Sequence, residues 1–270
     1  MLLSFRADRV ERRPMIHSER QQKILSLLEK KGVIHSGDLI KEMNVSKETI
    51  RRDLVELEEE GLLKRVYGGA VKDVIDSSSS SFMERANLKA PQKEAIANIA
   101  ISHIHENMSI ALDVSTTNLA IAKALKAHFK HLTIVTNSLV IANELVSAKA
   151  FNVILTGGAL HHEELSLTGD LCRNNLQNYH VDLYFLSCNG ISLTAGITDF
   201  GEDECLTKKA MISMAKKTIC VATSDRFDVI SLLHVAPLNI LECIITDNQL
   251  PESIFNLYKN NNISIVCDNK

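Results

Sequence analysis

Five consecutive serines, Ser77 to Ser81, cut this chain into two stretches with different periodicities. A run of small polar side chains has nothing to bury, so residues 73–81 read as a flexible linker and no single core spans them. Before the run, apolar side chains recur at helical spacing; behind it, short β-rich apolar runs alternate with helical segments. Charge divides at the same place. Residues 1–72 carry an excess of three basic side chains, and the remainder an excess of six acidic ones.

The expectation is therefore a leader at 1–14, a small domain at 15–72, the linker at 73–81 and a larger domain at 82–270. The leader joins no pattern; the alternative reading makes it an arm whose Arg6, Arg9, Arg12 and Arg13 touch phosphates. A net charge of −3 excludes a polybasic coat or an acidic tail protein, and 45% hydrophobic residues exclude wholesale disorder. No apolar run approaches the roughly 18 residues of a membrane span, and the opening is no secretory signal. All six cysteines lie at or beyond Cys172 without a Cys-x-x-Cys pair, so neither zinc nor a disulfide framework is expected. His161-His162-Glu163-Glu164 invites a metal reading, but adjacent histidines do not converge on one ion and a solvated loop is expected. The chain reads as cytoplasmic, with reduced thiols and no cofactor.

In the small domain, Ser18 with Gln21 suggests a capping-box start, and Gly32 a stop. Ser36 caps a short helix over 37–43. Asn44-Val45 turns, and Ser46 caps a third helix over 47–59. There Ile50, Leu54 and Leu57 follow i, i+4, i+7 and face the core, which sends Lys47, Glu48, Arg51 and Arg52 outward with Thr49 beside them. Asp53 is expected to orient a neighbouring arginine or to cap. Residues 62–70 read as a hairpin whose Lys64 and Arg65 can reach phosphates. Together these make a winged helix-turn-helix, whose last helix enters the major groove.

In the larger domain, strands are expected over 109–112, 132–136, 152–155, 183–187, 218–222, 243–246 and 263–266, with helices over 118–127 and 139–148. Strands separated by single helices predict a Rossmann-like, mostly parallel α/β sheet. Asp113-Val114-Ser115-Thr116-Thr117 joins strand to helix. Its hydroxyls fit an anion at a helix N-terminus or ordinary capping, and the residues alone weigh the two equally. Thr136-Asn137, Thr156-Gly157-Gly158, Cys188-Asn189-Gly190 and Thr223-Ser224 close other strands, and such carboxyl ends form the ligand crevice of open α/β sheets.

The segment Val45-Ser46-Lys47-Glu48-Thr49-Ile50-Arg51-Arg52-Asp53-Leu54, with Leu57, Gly61-Leu62-Leu63 and Arg65-Val66-Tyr67-Gly68-Gly69-Ala70, resembles the DeoR family of bacterial transcription regulators. The likeness continues over 93–247, through Lys93-Glu94, Asp113-x-x-Thr116-Thr117, Gly157-Gly158, Asn189-Gly190-Ile191, Gly196-x-Thr198, Glu204-x-x-x-Lys208 and Ile245-Thr246-Asp247. That family's sensor domain is similar to ribose-5-phosphate isomerase and glucosamine-6-phosphate deaminase folds. The resemblance implies a repressor of a sugar-catabolism operon, released by a phosphorylated sugar and acting as a homo-oligomer, dimer or tetramer. It implies DNA contacts from Ser46, Lys47, Thr49, Arg51 and Arg52. It places an effector phosphate at Ser115, Thr116 and Thr117, with Asp113 on sugar hydroxyls and Lys208 and Arg226 as cations; Asn137, Gly157, Gly158, Asn189 and Glu204 join the pocket.

Two departures stand out. Ser115 replaces the family's usual glycine, and Thr223-Ser224-Asp225-Arg226 replaces its Asp-x-x-Lys. The alternative function is a sugar-phosphate isomerase or deaminase carrying a DNA-binding head, with Asp113 or Glu204 as base. A further alternative is that the departures have emptied the pocket, leaving a constitutive DNA binder or scaffold.

Overall fold

The computed structural model describes residues 17–31, 33–60, 62–66, 69–72 and 82–268; the leader and the linker lie outside them. The chain forms two compact units, Met1–Asp76 and Ser77–Lys270.

The first unit runs α1 (His17–Lys31), β1 (Val33–His35), α2 (Ser36–Met43), α3 (Lys47–Glu59), β2 (Leu63–Val66) and β3 (Gly69–Lys72). Ile24, Leu28, Leu39, Met43, Ile50, Leu54 and Leu57 from the three helices close on Ile34, Leu63 and Ala70 from the strands. The sharp turn into α3 rests on Asn44, whose φ of 53° is the left-handed value that asparagine tolerates best after glycine. Ser46 then caps α3, its Oγ accepting the Thr49 amide at 3.1 Å. Two expectations change. α1 already includes His17, so Ser18 lies inside the helix. Residues 33–35 form a strand that pairs with β3, so the wing is a three-stranded sheet in the order β1-β3-β2.

The second unit runs α4 (Phe82–Asn87), α5 (Ala90–Ile101), β4 (Ser109–Leu112), α6 (Thr116–His128), β5 (Thr133–Thr136), α7 (Leu139–Leu145) and β6 (Asn152–Leu155). The hairpin β7 (Ala159–His161) and β8 (Ser166–Thr168) follows, then α8 (Gly169–Leu176), β9 (Val181–Ser187), β10 (Gly190–Ser192) and β11 (Gly196–Asp199). The unit ends with α9 (Glu202–Met214), β12 (Ala215–Val221), β13 (Leu233–Ala236), β14 (Cys243–Ile245), α10 (Glu252–Asn260) and β15 (Ile265–Val266).

Seven of these strands build one parallel sheet in the order β15-β14-β12-β9-β4-β5-β6. Period-2 alternation divides its side chains between two layers. Ile110, Leu112, Leu183, Phe185, Ile219 and Val221 face α5, α6 and α7, while Ala111, Tyr184, Leu186 and Cys220 face α8, α9 and α10. From β4 the chain winds one way, to β5 and β6; from β9 it winds the other way, to β12 and β14. The winding reverses between β4 and β9, and at such a switch point an open parallel sheet leaves a crevice beyond its carboxyl ends.

Candidate functional site

On the first unit, α3 presents its outer face as its periodicity requires. Lys47, Arg51 and Arg52 are exposed and Thr49 half-buried. Arg51 donates from Nε and a terminal nitrogen to Glu48 at 2.9 and 2.7 Å, and Arg52 Nε lies 3.4 Å from the same carboxylate. Arg51 holds the Glu48 carboxyl down at about 2, so its negative charge persists at any working pH. Lys64 and Arg65 lie on β2, and their side chains fall outside the described residues. Asp53 is buried on the opposite side of α3, where its oxygens accept Nε and a terminal nitrogen of Arg20. The arginine it orients is thus on α1, leaving Arg51 and Arg52 to the surface. Because Glu48 screens both arginines, Glu48→Gln is expected to strengthen binding to random-sequence duplex several-fold and to steepen its salt dependence. Fluorescence anisotropy across a salt series checks this, and an unchanged slope would leave Glu48 with no electrostatic part in binding.

On the second unit, the loops after β4 and β9 meet at the switch point. Asp113 lies under them with 1% of its surface exposed. One of its oxygens accepts Asn118 Nδ2 at 2.7 Å, and the other accepts Tyr184 OH at 2.6 Å and the Ser187 amide at 2.9 Å. Burial pushes its pKa up. Asp113 therefore ties β4 to β9 through the protein's own groups. Asn137 is also structural here, joining the Val114 amide to the Leu167 carbonyl.

Lys208 departs further from expectation. Its ammonium is buried against Asp199, with a second bond to the Ser187 carbonyl at 3.0 Å. Asn189 donates to the other oxygen of Asp199. Glu204, one helical turn before Lys208, has no part in that pair. Its Oε1 is buried without a hydrogen-bond partner among the described residues, and burial lifts its pKa to about 7.

Above these groups, Ser115 caps α6, its Oγ accepting the Asn118 amide at 2.9 Å. Ser115 thus takes the capping role, while Thr116 and Thr117 form the first turn of α6, where helical amides lack intrahelical acceptors. Gly157 and Gly158 follow β6 with φ of 74° and 124°. A Cβ at Gly158 would stand 2.4 Å from the Thr168 carbonyl, so only glycine lets β8 close on this loop. The loop after β12 is pinned by Asp247, which accepts the Ser224 amide and hydroxyl at 2.8 and 2.9 Å.

Apart from Arg226, which the resemblance already implies, the cations of the crevice come from α4, α5 and the residues between them. α5 leads down into β4, so its first turn stands at the carboxyl end of the sheet beside the start of α6. That turn carries Lys93, which is 7% exposed and donates to the Arg85 carbonyl. Burial first, then repulsion from Arg85, Arg226 and Lys89, pushes its pKa down to about 8. Lys89 pairs with Asp225 at 2.7 Å, and Arg226 Nε lies 3.6 Å from the same carboxylate. Arg85 pairs with Glu164. Four cations thus gather around two carboxylates. The Lys93 motif was visible in the sequence, but only the sheet topology brings it beside Arg226.

Residues 20–75 match the DeoR-like helix-turn-helix domain, and residues 88–248 the DeoR C terminal sensor domain. The transcriptional regulator GolR of Listeria innocua is 35% identical over 91% of this chain and 96% of its own length. The glycerol-3-phosphate regulon repressor of Escherichia coli is 28% identical over 93% of this chain and 99% of its own. Among solved structures, ribose 5-phosphate isomerase A of Methanocaldococcus jannaschii superposes on 50% of this chain and 53% of that one, with 13% identity and a TM-score of 0.37.

Proposed function

Because this chain belongs to the DeoR family of helix-turn-helix transcriptional regulators, we propose that it represses a sugar-catabolism operon and is released when a phosphorylated sugar fills the crevice of its second unit. Ser46 at the cap of α3 and Lys47, Thr49, Arg51 and Arg52 on it meet the major groove, and Lys64 and Arg65 on the wing meet the flanking phosphates. The phosphate of the effector rests on the first turn of α6, at Thr116 and Thr117, with Lys93 and Arg226 as its cations. Gly157, Gly158, Asn189 and Glu204 lie toward the sugar. The chain acts as a homo-oligomer, since a symmetric dimer reads half-sites about 34 Å apart or at multiples of that spacing.

The observation that carries the sensor reading is Lys93. An ammonium pushed down to about 8 by burial first, and then by three neighbouring cations, is a site that an anion relieves. A phosphomonoester carries about −1.5 to −2 near neutral pH, with its second ionisation near 6. Affinity is therefore expected to rise as pH climbs past about 6, and to fall past about 8 as Lys93 loses its proton. A thermal-shift panel of phosphorylated trioses, pentoses and hexoses tests this. At a ligand concentration 100-fold above Kd, stabilisation of about 2.7 kcal/mol raises Tm by roughly 5–10 °C. Lys93→Met is expected to abolish that rise; a rise that survives the substitution and ignores pH between 7 and 9 would remove Lys93 from the site. Selection of operator sequences from a random duplex pool by the full chain tests the DNA half.

One observation favours a second reading, in which the body is a sugar-phosphate isomerase or deaminase. Glu204 has an unpartnered oxygen and a pKa of about 7, which suits a general base. Asp113, Asp199 and Lys208, however, spend their bonds on the protein's own groups, so the first reading needs fewer rearrangements. Turnover of any pentose or hexose phosphate in a coupled assay, lost in Glu204→Ala, would reverse that preference. Among the described residues, no helix is long and apolar enough to cross a membrane, and the proposed setting is the cytoplasm.

A further inference from the structure

The route by which an occupied crevice could reach the DNA-binding unit begins at α4, the first described helix after residues 73–81. α4 is six residues long and cannot hold itself together by its own hydrogen bonds. It is held by Phe82, which is fully buried in the core, and by polar grips on either side. On one side, the Phe82 amide donates to the Glu163 carbonyl at 3.4 Å and Arg85 pairs with Glu164. Both acceptors sit on the turn between β7 and β8, and His161 Nδ1 steadies that turn by accepting the Glu164 amide at 3.3 Å. The hairpin springs directly from Gly157 and Gly158 in the crevice. On the other side, Lys93 donates to the Arg85 carbonyl, and Lys89 pairs with Asp225 just beyond the C-terminus of α4. The cations assigned above to the effector phosphate therefore include one that already holds α4 in place.

We propose that α4 is the coupling element of the sensor, released when the effector's phosphate draws Lys93 off the Arg85 carbonyl and Lys89 off Asp225. This rests on the reading of the crevice as a phosphate site. A dianion offers Lys93 an opposite charge in place of a neutral carbonyl, which adds a Coulomb attraction to the hydrogen bond inside a partly desolvated site. Its negative charge also sits beside Asp225 and weakens that carboxylate's claim on Lys89. The grip is lost on the segment that continues, through 73–81, into the first unit. The His161-His162-Glu163-Glu164 run then has a part in function without any metal, as the second jaw that grips α4.

Hydrogen–deuterium exchange of the full chain tests this, comparing sodium phosphate with sodium chloride at equal ionic strength. Exchange is expected to slow over 113–118 and 222–226, where the anion binds, and to quicken about tenfold over 82–89, the loss expected of one or two such bonds. Glu164→Gln should quicken 82–89 without phosphate, leave phosphate a further quickening because it breaks the other grip, and weaken phosphate-free binding to the selected operator. Slowing in the crevice with unchanged or slower exchange in α4 would overturn the coupling and leave the sensor standing. No slowing in the crevice would sink both. Wild-type operator affinity in Glu164→Gln, with its α4 already loosened, would show that α4 does not speak to the head.

Discussion

Replacing Arg51 and Arg52 together with alanine is expected to lower specific DNA affinity by two orders of magnitude or more while leaving Tm unchanged. Both side chains are exposed, 58% and 72%, and Glu48 is the carboxylate each one meets. Their removal therefore takes away surface ion pairs worth little to stability. On DNA the balance differs. An arginine that reads a base contributes about 1–3 kcal/mol and its loss relaxes specificity at that position, whereas one on a phosphate weakens all sequences alike and lowers the salt slope by about one. Anisotropy titrations of the two single variants and the double, on selected operator and on random duplex at three salt concentrations, separate these cases. Should the double variant keep full specific affinity, α3 would lose its place in the groove, since Asp53 and the apolar face are turned inward.

How much of this was legible beforehand depends on the range of the interactions involved. The bounds of α3, and of the strands at 109–112 and 152–155, came out as expected because a cap or a local apolar run sets them. β1 escaped notice because its three residues become a strand only by pairing with Val71, Ala70 and Gly69, more than thirty residues onward. The resemblance makes Lys208 a cation for the effector's phosphate and puts Glu204 in the same pocket, yet Lys208 is paired with Asp199 on β11. Asp113, a sugar contact by resemblance, and Asn137, at the end of β5, both bond to the protein's own groups across the strand ends. Lys93 stands in a motif visible in the sequence, but nothing local shows that the first turn of α5 lies beside Arg226.

The second large effect follows from that buried pair. Lys208→Met is expected to destabilise the second unit by about 3–5 kcal/mol, because it leaves Asp199 buried with an uncompensated charge. Tm should fall by roughly 6–20 °C at 2–4 °C per kcal/mol. Pairing it with Asp199→Asn should recover most of the loss, since a buried ion pair replaced as a whole is often near neutral.

The pH profile gives an independent check. Burial alone would raise the pKa of Asp199, but the charge and hydrogen bond of Lys208 hold it below the ordinary carboxylate value. Burial alone would likewise lower Lys208, but Asp199 first and then Asp113 hold it above the ordinary ammonium value. The depressed carboxyl adds stability that is present above an unfolded value of about 3.9 and is lost as pH falls through the folded one. The raised ammonium adds stability that is present below about 10.4 and is lost as pH rises. The deficit of Lys208→Met should therefore be widest where the stranded Asp199 is ionised and the pH is below about 10, and should shrink as pH falls through the pKa of that carboxyl, which burial without Lys208 lifts above the ordinary carboxylate value. A flat deficit, or a double variant no better than the single one, would mean that Lys208 does not hold this corner of the crevice together. It would then be available to a ligand after all.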